Sequence, residues 1–201
     1  MSTATQCKPC EAQSFPNLKG TEGISDQTWE QHQKLYQGYV NNVNTVAEKL
    51  GAFISAANVG SPEYAELKRR LGWEINGVVL HELYFENIKA NGGAVDANSK
   101  LGKALVENFG SLANWEADFK ATGMMRGIGW AVMYQCCKSG RLINMWIGEH
   151  EIGHPAGATP VMVMDVWEHA YSVDHLPTGR KAYIDAFFKN VDWKVIEGRL
   201  N

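Results

Sequence analysis

From Trp29 onward, aromatic and aliphatic positions return at helical spacing. Tyr36, Tyr39, Val43, Val46 and Leu50 fall on one stripe, and His32 falls on it with them. That period predicts an amphipathic helix, capped by Ser25 or Asp26 and starting near Gln27. Gly51 and the stretch 58–60 interrupt it. Ser61-Pro62-Glu63 opens a second helix, whose apolar positions Leu67, Leu71, Ile75, Val78 and Leu83 run toward Ile88. Two long helices in succession predict an antiparallel hairpin. The preceding residues 1–23 mix proline, glycine and polar residues without a period and predict an irregular arm.

After residue 89 the pattern changes. The stretch 90–99 is rich in Gly and Asn and reads as a linker. Short helical pieces follow at 101–109 and 112–122. Apolar runs suited to strands come next, at 129–137, 141–147 and 159–164, with Lys138-Ser139-Gly140 as a hairpin turn between the first two. Helical texture returns at 166–174 and 181–190. The expected fold is α+β: an N-terminal antiparallel α-hairpin over 24–92, then a C-terminal α/β domain over 93–201 with a small three-stranded antiparallel sheet.

Composition narrows the class without changing this picture. Hydrophobic residues make up 45 % and charged residues 20 % of 201, an ordinary globular mix. A net charge of −3, with no block of Lys or Arg, argues against a nucleic-acid partner. No apolar run is long enough to span a membrane. The first twenty residues lack the apolar core of a secretory signal, so the expected compartment is the cytoplasm, where thiols stay reduced. Cys7 and Cys10 form a single CxxC outside any βαβ context, which favours an unmetallated arm over a redox or metal site. Cys136-Cys137 lies on an expected strand, with at least one thiol pointing inward.

Six histidines carry the candidate chemistry. A single histidine on an apolar stripe is usually a packed, hydrogen-bonded core residue, so only a constellation is informative. His81 stands four residues after Gly77 and four before Phe85, on the apolar face of the second helix. Asp165 ends the run Val161–Met164, where a buried carboxylate is costly unless paired or bound to a cation. His169 follows four residues later. Three imidazoles and one carboxylate make a mixed N/O set suited to iron or manganese; the alternative is that Asp165 caps the next helix.

At these residues the chain resembles a known family. Residues 165–171, DVWEHAY, resemble the C-terminal signature of the iron/manganese superoxide dismutases. HELYFEN (81–87) is similar to the second-helix motif, GIGWAVM (127–133) to the Gly-x-Gly-Trp strand, and YVNNVN (39–44) to the first helix. RKAYIDAFFKNVDW (180–193) is similar to the last helix, and ISDQTWEQH (24–32) aligns His32 with the first ligand. The resemblance implies superoxide as substrate and one Fe or Mn ion per chain, held by His32, His81, Asp165 and His169. Iron is favoured because Val163 is aliphatic at a position that influences the choice. It implies Tyr39 at the substrate funnel, with Trp130, Trp167 and Phe85 excluding water around the metal. It further implies a homodimer or homotetramer, joined through Glu168 and Tyr171.

The chain also departs from the pattern. The His32–Tyr39 segment is one residue short, which calls for a gap or a distorted helix. Leu35, Tyr36 and Gln37 stand where second-sphere histidines are common, and Ser172 replaces the second Tyr of the signature. The glutamine that usually bonds the metal-bound solvent has no counterpart at Gly77. His154, eleven residues before Asp165, resembles a branch in which histidine replaces it, and is assigned with Tyr39 to proton relay.

Three rivals remain at this stage. One is a metal-binding relative without dismutase activity. Another is a two-His-one-carboxylate iron oxygenase, which would leave one histidine out. The third is a zinc protease built on His150-Glu151-Ile152-Gly153-His154, although Gly153 and Pro155 disfavour the helix this motif needs.

Overall fold

The computed structural model describes residues 9–201. Cys7, and with it the CxxC, lies outside the described residues. Helix α1 (Asp26–Ser55) and helix α2 (Pro62–Glu86) are capped by Ser25 and Ser61, whose hydroxyls accept from Thr28 N and Tyr64 N. Contacts run in opposite order along the two: His32 meets Phe85, Asn42 bonds Glu74, and Phe53 meets Tyr64. The hairpin is therefore antiparallel. α1 passes through Gly51 without a break and needs no distortion between His32 and Tyr39. A glycine costs a helix only about 1 kcal/mol, which packing along α1 outweighs.

The buried face of α2 is not the one its aliphatic period suggested. Ile75 is 41 % exposed, whereas Glu74, Gly77, Val78, His81, Tyr84 and Phe85 are buried. Aromatic and polar residues share the inner face with the aliphatic Val78 and Leu80. The arm before α1 is irregular, yet it is part of the core. Phe15 packs on Phe85 at 4.9 Å, and Asn17 Nδ2 donates to the carbonyls of Phe85 and Ile88 beyond the α2 hydrogen-bond ladder.

Two short helices, α3 (Lys100–Phe109) and α4 (Leu112–Gly123), lead into the sheet. Its strands are β1 (Gly129–Cys136), β2 (Leu142–Gly148) and β3 (Ala158–Asp165), antiparallel in the order β2-β1-β3. β1 is central and pairs Trp130 with Asp165 on one side and Ile147 on the other. Cys136 is only half-buried and Cys137 is exposed, so neither thiol reaches the core.

The single helix expected at 166–174 is not formed. Asp165 Oδ1 accepts from Trp167 N, and Trp167 is extended (ψ 152°), so the chain leaves β3 through a tight turn. A 3₁₀ turn, Glu168–Ala170, and a single turn α5 (Ser172–His175) follow. α6 (Arg180–Lys189) and α7 (Trp193–Gly198) close the chain; α7 was not read from the sequence. Arg199, just beyond α7, ties hairpin to sheet. Its guanidinium donates to Asn87 Oδ1, Glu86 Oε2 and the carbonyls of Leu83 and Val161. The observed fold is thus an α-hairpin followed by an α/β domain with a three-stranded antiparallel sheet.

Candidate metal centre

Four elements deliver one ligand each to a common point. His32 comes from α1, His81 from α2, Asp165 from the end of β3 and His169 from the 3₁₀ turn after it. Their ligating atoms all lie within 4.8 Å of one another. Asp165 Oδ2 is 3.0 Å from His32 Nε2, 3.3 Å from His169 Nε2 and 3.9 Å from His81 Nε2. Donors that share an ion at about 2 Å stand about 3–4 Å apart, so this spacing suits a metal. His32, His81 and Asp165 are fully buried; the His169 side chain is 27 % exposed. Because all three histidines converge, the arrangement that leaves one of them out is not the one built.

The protonation pattern fits a cation as well. His81 Nδ1 lies 2.5 Å from the Gly77 carbonyl, so it must donate there, and Nε2 presents its lone pair. That Nε2 is buried and has no hydrogen-bond partner. Burial lowers the pKa of His32 and, further, of His81, keeping both neutral as a ligand must be. Burial pushes the Asp165 carboxyl up, but His169 and His32 pull harder the other way and hold it well below the usual carboxylate range. Its backbone carbonyl accepts from Tyr183 Oη at 2.7 Å, and Tyr183 in turn bonds Tyr84. That chain fixes the strand end which carries the ligand.

Buried aromatic rings pack against the cluster. Phe85 lies 5.1 Å from His32, and Trp130 lies 5.0 Å from His81; both are fully buried. Around the same cluster stands a rim of partly covered residues: Tyr39, Trp73, Trp167 and His169. Gly77 lets Tyr39 lie against α2, since a Cβ there would sit 2.5 Å from the Tyr39 ring. The Tyr39 ring is 5.2 Å from His81.

The histidine beside Tyr39 is His150, not His154. His150 is fully buried, and its Nε2 is 2.7 Å from Tyr39 Oη. Trp130 Nε1 donates to His150 Nδ1 at 3.1 Å. His154 lies one layer further out, where Nε2 donates to the His150 carbonyl and Nδ1 pairs with Tyr134 Oη. The turn explains the exchange. Ile152 bridges back to Gly148, and left-handed φ at Glu149 (52°) and Gly153 (107°) reverse the chain, aiming the two histidines at different neighbours. The HEIGH segment is not helical, and both ring nitrogens of His154 are engaged, so the zinc-protease arrangement is absent. The count back to Asp165 could not reveal this, because loop length does not fix which loop residue faces inward.

Tyr171 also differs from expectation. It is buried in its own chain, stacked on Tyr183 at 5.5 Å and beside Arg180, rather than lying on an exposed face. Glu168 is exposed. Trp73 was missed, although its place four residues before Gly77 and eight before His81 puts it on their face of α2.

Comparison with known proteins agrees with this geometry. Residues 22–89 match the family described as iron/manganese superoxide dismutases, alpha-hairpin domain. Residues 97–199 match the family described as iron/manganese superoxide dismutases, C-terminal domain. A superoxide dismutase [Fe] of Aquifex aeolicus is 39% identical over 183 residues, covering 89% of this chain and 84% of that protein. Superoxide dismutase [Mn] 2 of Haloferax volcanii is 35% identical over 172 residues, covering 85% and 83%. A superoxide dismutase [Fe] of Cupriavidus metallidurans is 34% identical over 178 residues, covering 86% of each.

Proposed function

The chain belongs to the iron/manganese superoxide dismutase family, and from that premise we propose how its own residues divide the work of converting superoxide to dioxygen and hydrogen peroxide. His32, His81, Asp165 and His169 hold one ion per chain. The observation that carries this assignment is the convergence of four ligating atoms within 4.8 Å, with His81 Nε2 buried and unpartnered. When bound, iron or manganese supplies the one-electron exchange that oxidises one superoxide and reduces the next. The anionic Asp165 favours the higher oxidation state.

Tyr39 and His150 handle protons. Trp130 donates to His150 Nδ1, so a neutral His150 carries its proton on Nε2 and donates it to Tyr39 Oη. The tyrosine hydroxyl therefore keeps its own proton, which it can give toward the ligand cluster. Burial supports both states: it lowers His150 to about 4 and raises Tyr39 to about 12. His154 holds the His150 backbone in place. Substrate enters across the rim of Tyr39, Trp73 and Trp167, the side not sealed by Phe85 and Trp130.

A second copy of the chain covers His169. Support comes from the exposed Glu168 beside it and from exposed apolar side chains at Leu35 (44 %), Val173 (39 %) and Leu176 (67 %). A homodimer, or a tetramer of such dimers, bridged by Glu168 to His169 across the interface, is the proposed assembly. Iron is the proposed ion, supported by the buried aliphatic Val163 two residues before Asp165. No helix among the described residues is long and apolar enough to cross a membrane. Free Cys10, Cys136 and Cys137 support a cytoplasmic setting. The test of the whole assignment is metal content and superoxide consumption, measured on one sample loaded first with iron and then with manganese.

A further inference from the structure

The rim contains one charged device that the ligand cluster does not explain. Arg70 lies over the Trp73 ring, with its guanidinium carbon 4.8 Å from the ring centroid. Trp73 in turn meets His150 at 4.9 Å and Trp167 at 6.4 Å. One turn along α2, Glu74 accepts from Arg70 Nε at 2.6 Å, and its other oxygen accepts from Asn42 Nδ2 at 3.3 Å. The brace is buried and the cation is not: the Glu74 side chain is 3 % exposed and that of Arg70 is 42 % exposed. The pair is therefore a fixed dipole with its positive end outward. Among the described residues Arg70 is held through Nε, which leaves Nη1 and Nη2 available to an anion.

Its neighbours leave that role to Arg70. Arg69 is paired with Glu66 at 2.6 Å on the solvent side and stands 4.0 Å from Glu151. The charge of Arg70 acts on both Tyr39 and His150, against Asp165 and Glu74 at Tyr39. We propose that Arg70, braced by Glu74 and stacked on Trp73, is a positioning residue that gathers superoxide at the aromatic rim and directs it to the Tyr39–His150 side of the metal. The substrate is a small anion entering a low-dielectric mouth, where the outward positive end of this pair raises its local concentration. This inference rests on reading that rim as the entrance.

The test compares wild type, R70Q, R70K and R70E as metal-loaded protein, with azide as the anion probe. Azide affinity is read from the visible spectrum of the metal centre, and superoxide consumption is read as kcat/KM, both across ionic strength. R70Q should lower both by about two- to fivefold at low salt, and R70E by more. R70K should recover most of the loss. The variants should converge with wild type near 1 M salt, where the Debye length is about 3 Å. Metal content should be the same in all four, since Arg70 is not a ligand. If R70Q matches wild type at every salt while wild type binds azide, the inference is overturned and the entrance reading stands. A loss in R70Q that persists unchanged at high salt, or that R70K does not relieve, also overturns it, because packing rather than charge is then responsible. If the wild-type centre does not respond to azide, the entrance reading fails and the inference fails with it.

Discussion

His32, His81, Trp130 and Asp165 have no solvent exposure, whereas Tyr39, Trp73, Trp167 and His169, around the same cluster, are each only partly covered. The inner wall is carried by long helices and a central strand pairing, with each group fixed by an internal hydrogen bond or a ring contact. The rim draws on two helix positions, the tight turn after β3 and a 3₁₀ turn. In the proposed function the wall, together with His169, holds the ion, while the rest of the rim governs what reaches it and how protons follow. Substitutions should therefore separate metal retention from turnover, depending on the side they strike.

The largest effect is expected at the wall. His81→Ala removes the imidazole whose Nε2 is buried and unpartnered. It should lower metal affinity by more than about 100-fold, beyond the range seen for outer-sphere partners, and abolish activity with it. Elemental analysis after dialysis against a chelator checks this. Full metal retention in the variant would move the centre elsewhere.

The next effect distinguishes the two histidines of the turn. His150→Leu removes the donor to Tyr39 and the acceptor for Trp130. Turnover should fall about 10- to 100-fold with metal content retained. His154→Ala should cost about 1 kcal/mol of stability through its lost hydrogen bonds and change turnover far less. Equal losses of turnover in both variants would show that His154 acts in the site rather than behind it.

Gly77→Ala joins wall to rim. Its new Cβ would meet the Tyr39 ring at 2.5 Å, and overpacking of this kind costs about 1–3 kcal/mol. Calorimetry should show that loss together with reduced turnover, while metal stays bound. A variant as stable and active as wild type would mean that Tyr39 is free to move.

The wall was more legible in the sequence than the rim, for a physical reason. His32 and His81 lie on periodic faces, and Asp165 ends an apolar strand, so burial pattern and ligand type coincide. The helical hairpin and the three strands follow from the same periods. The turn from 149 to 154 carries no period. Its outcome depends on left-handed residues and on a bridge between Gly148 and Ile152, and so the inward histidine was read four residues too late. The tight turn after β3 escaped because Asp165 Oδ1 captures Trp167 N, a side-chain contact that competes with the helix expected there. α7 was missed because its six residues are too short for a recognisable stripe. Tyr171 was placed on an interface because the signature suggested it, whereas its own chain buries it.

The smallest expected effect lies outside the site, at the Cys136 thiol. Hydrogen bonds from Ser139 and Lys138 lower the Cys136 thiol to about 7. A lowered pKa means more thiolate at neutral pH, so alkylation of Cys136 should rise with pH and reach half its maximum near 7. Peptide mass spectrometry after brief iodoacetamide treatment reads this directly. A midpoint at or above pH 9 would mean that the turn does not hold the thiolate.

The central claim is that one site, built by His32, His81, Asp165 and His169, performs the dismutation. The most direct measurement titrates metal-free protein with iron, and separately with manganese, while following bound metal and superoxide consumption on the same sample. The account predicts that activity rises in proportion to occupancy and stops rising at one ion per chain. A chain filled to one ion without turnover, or activity that saturates at another stoichiometry, would contradict it.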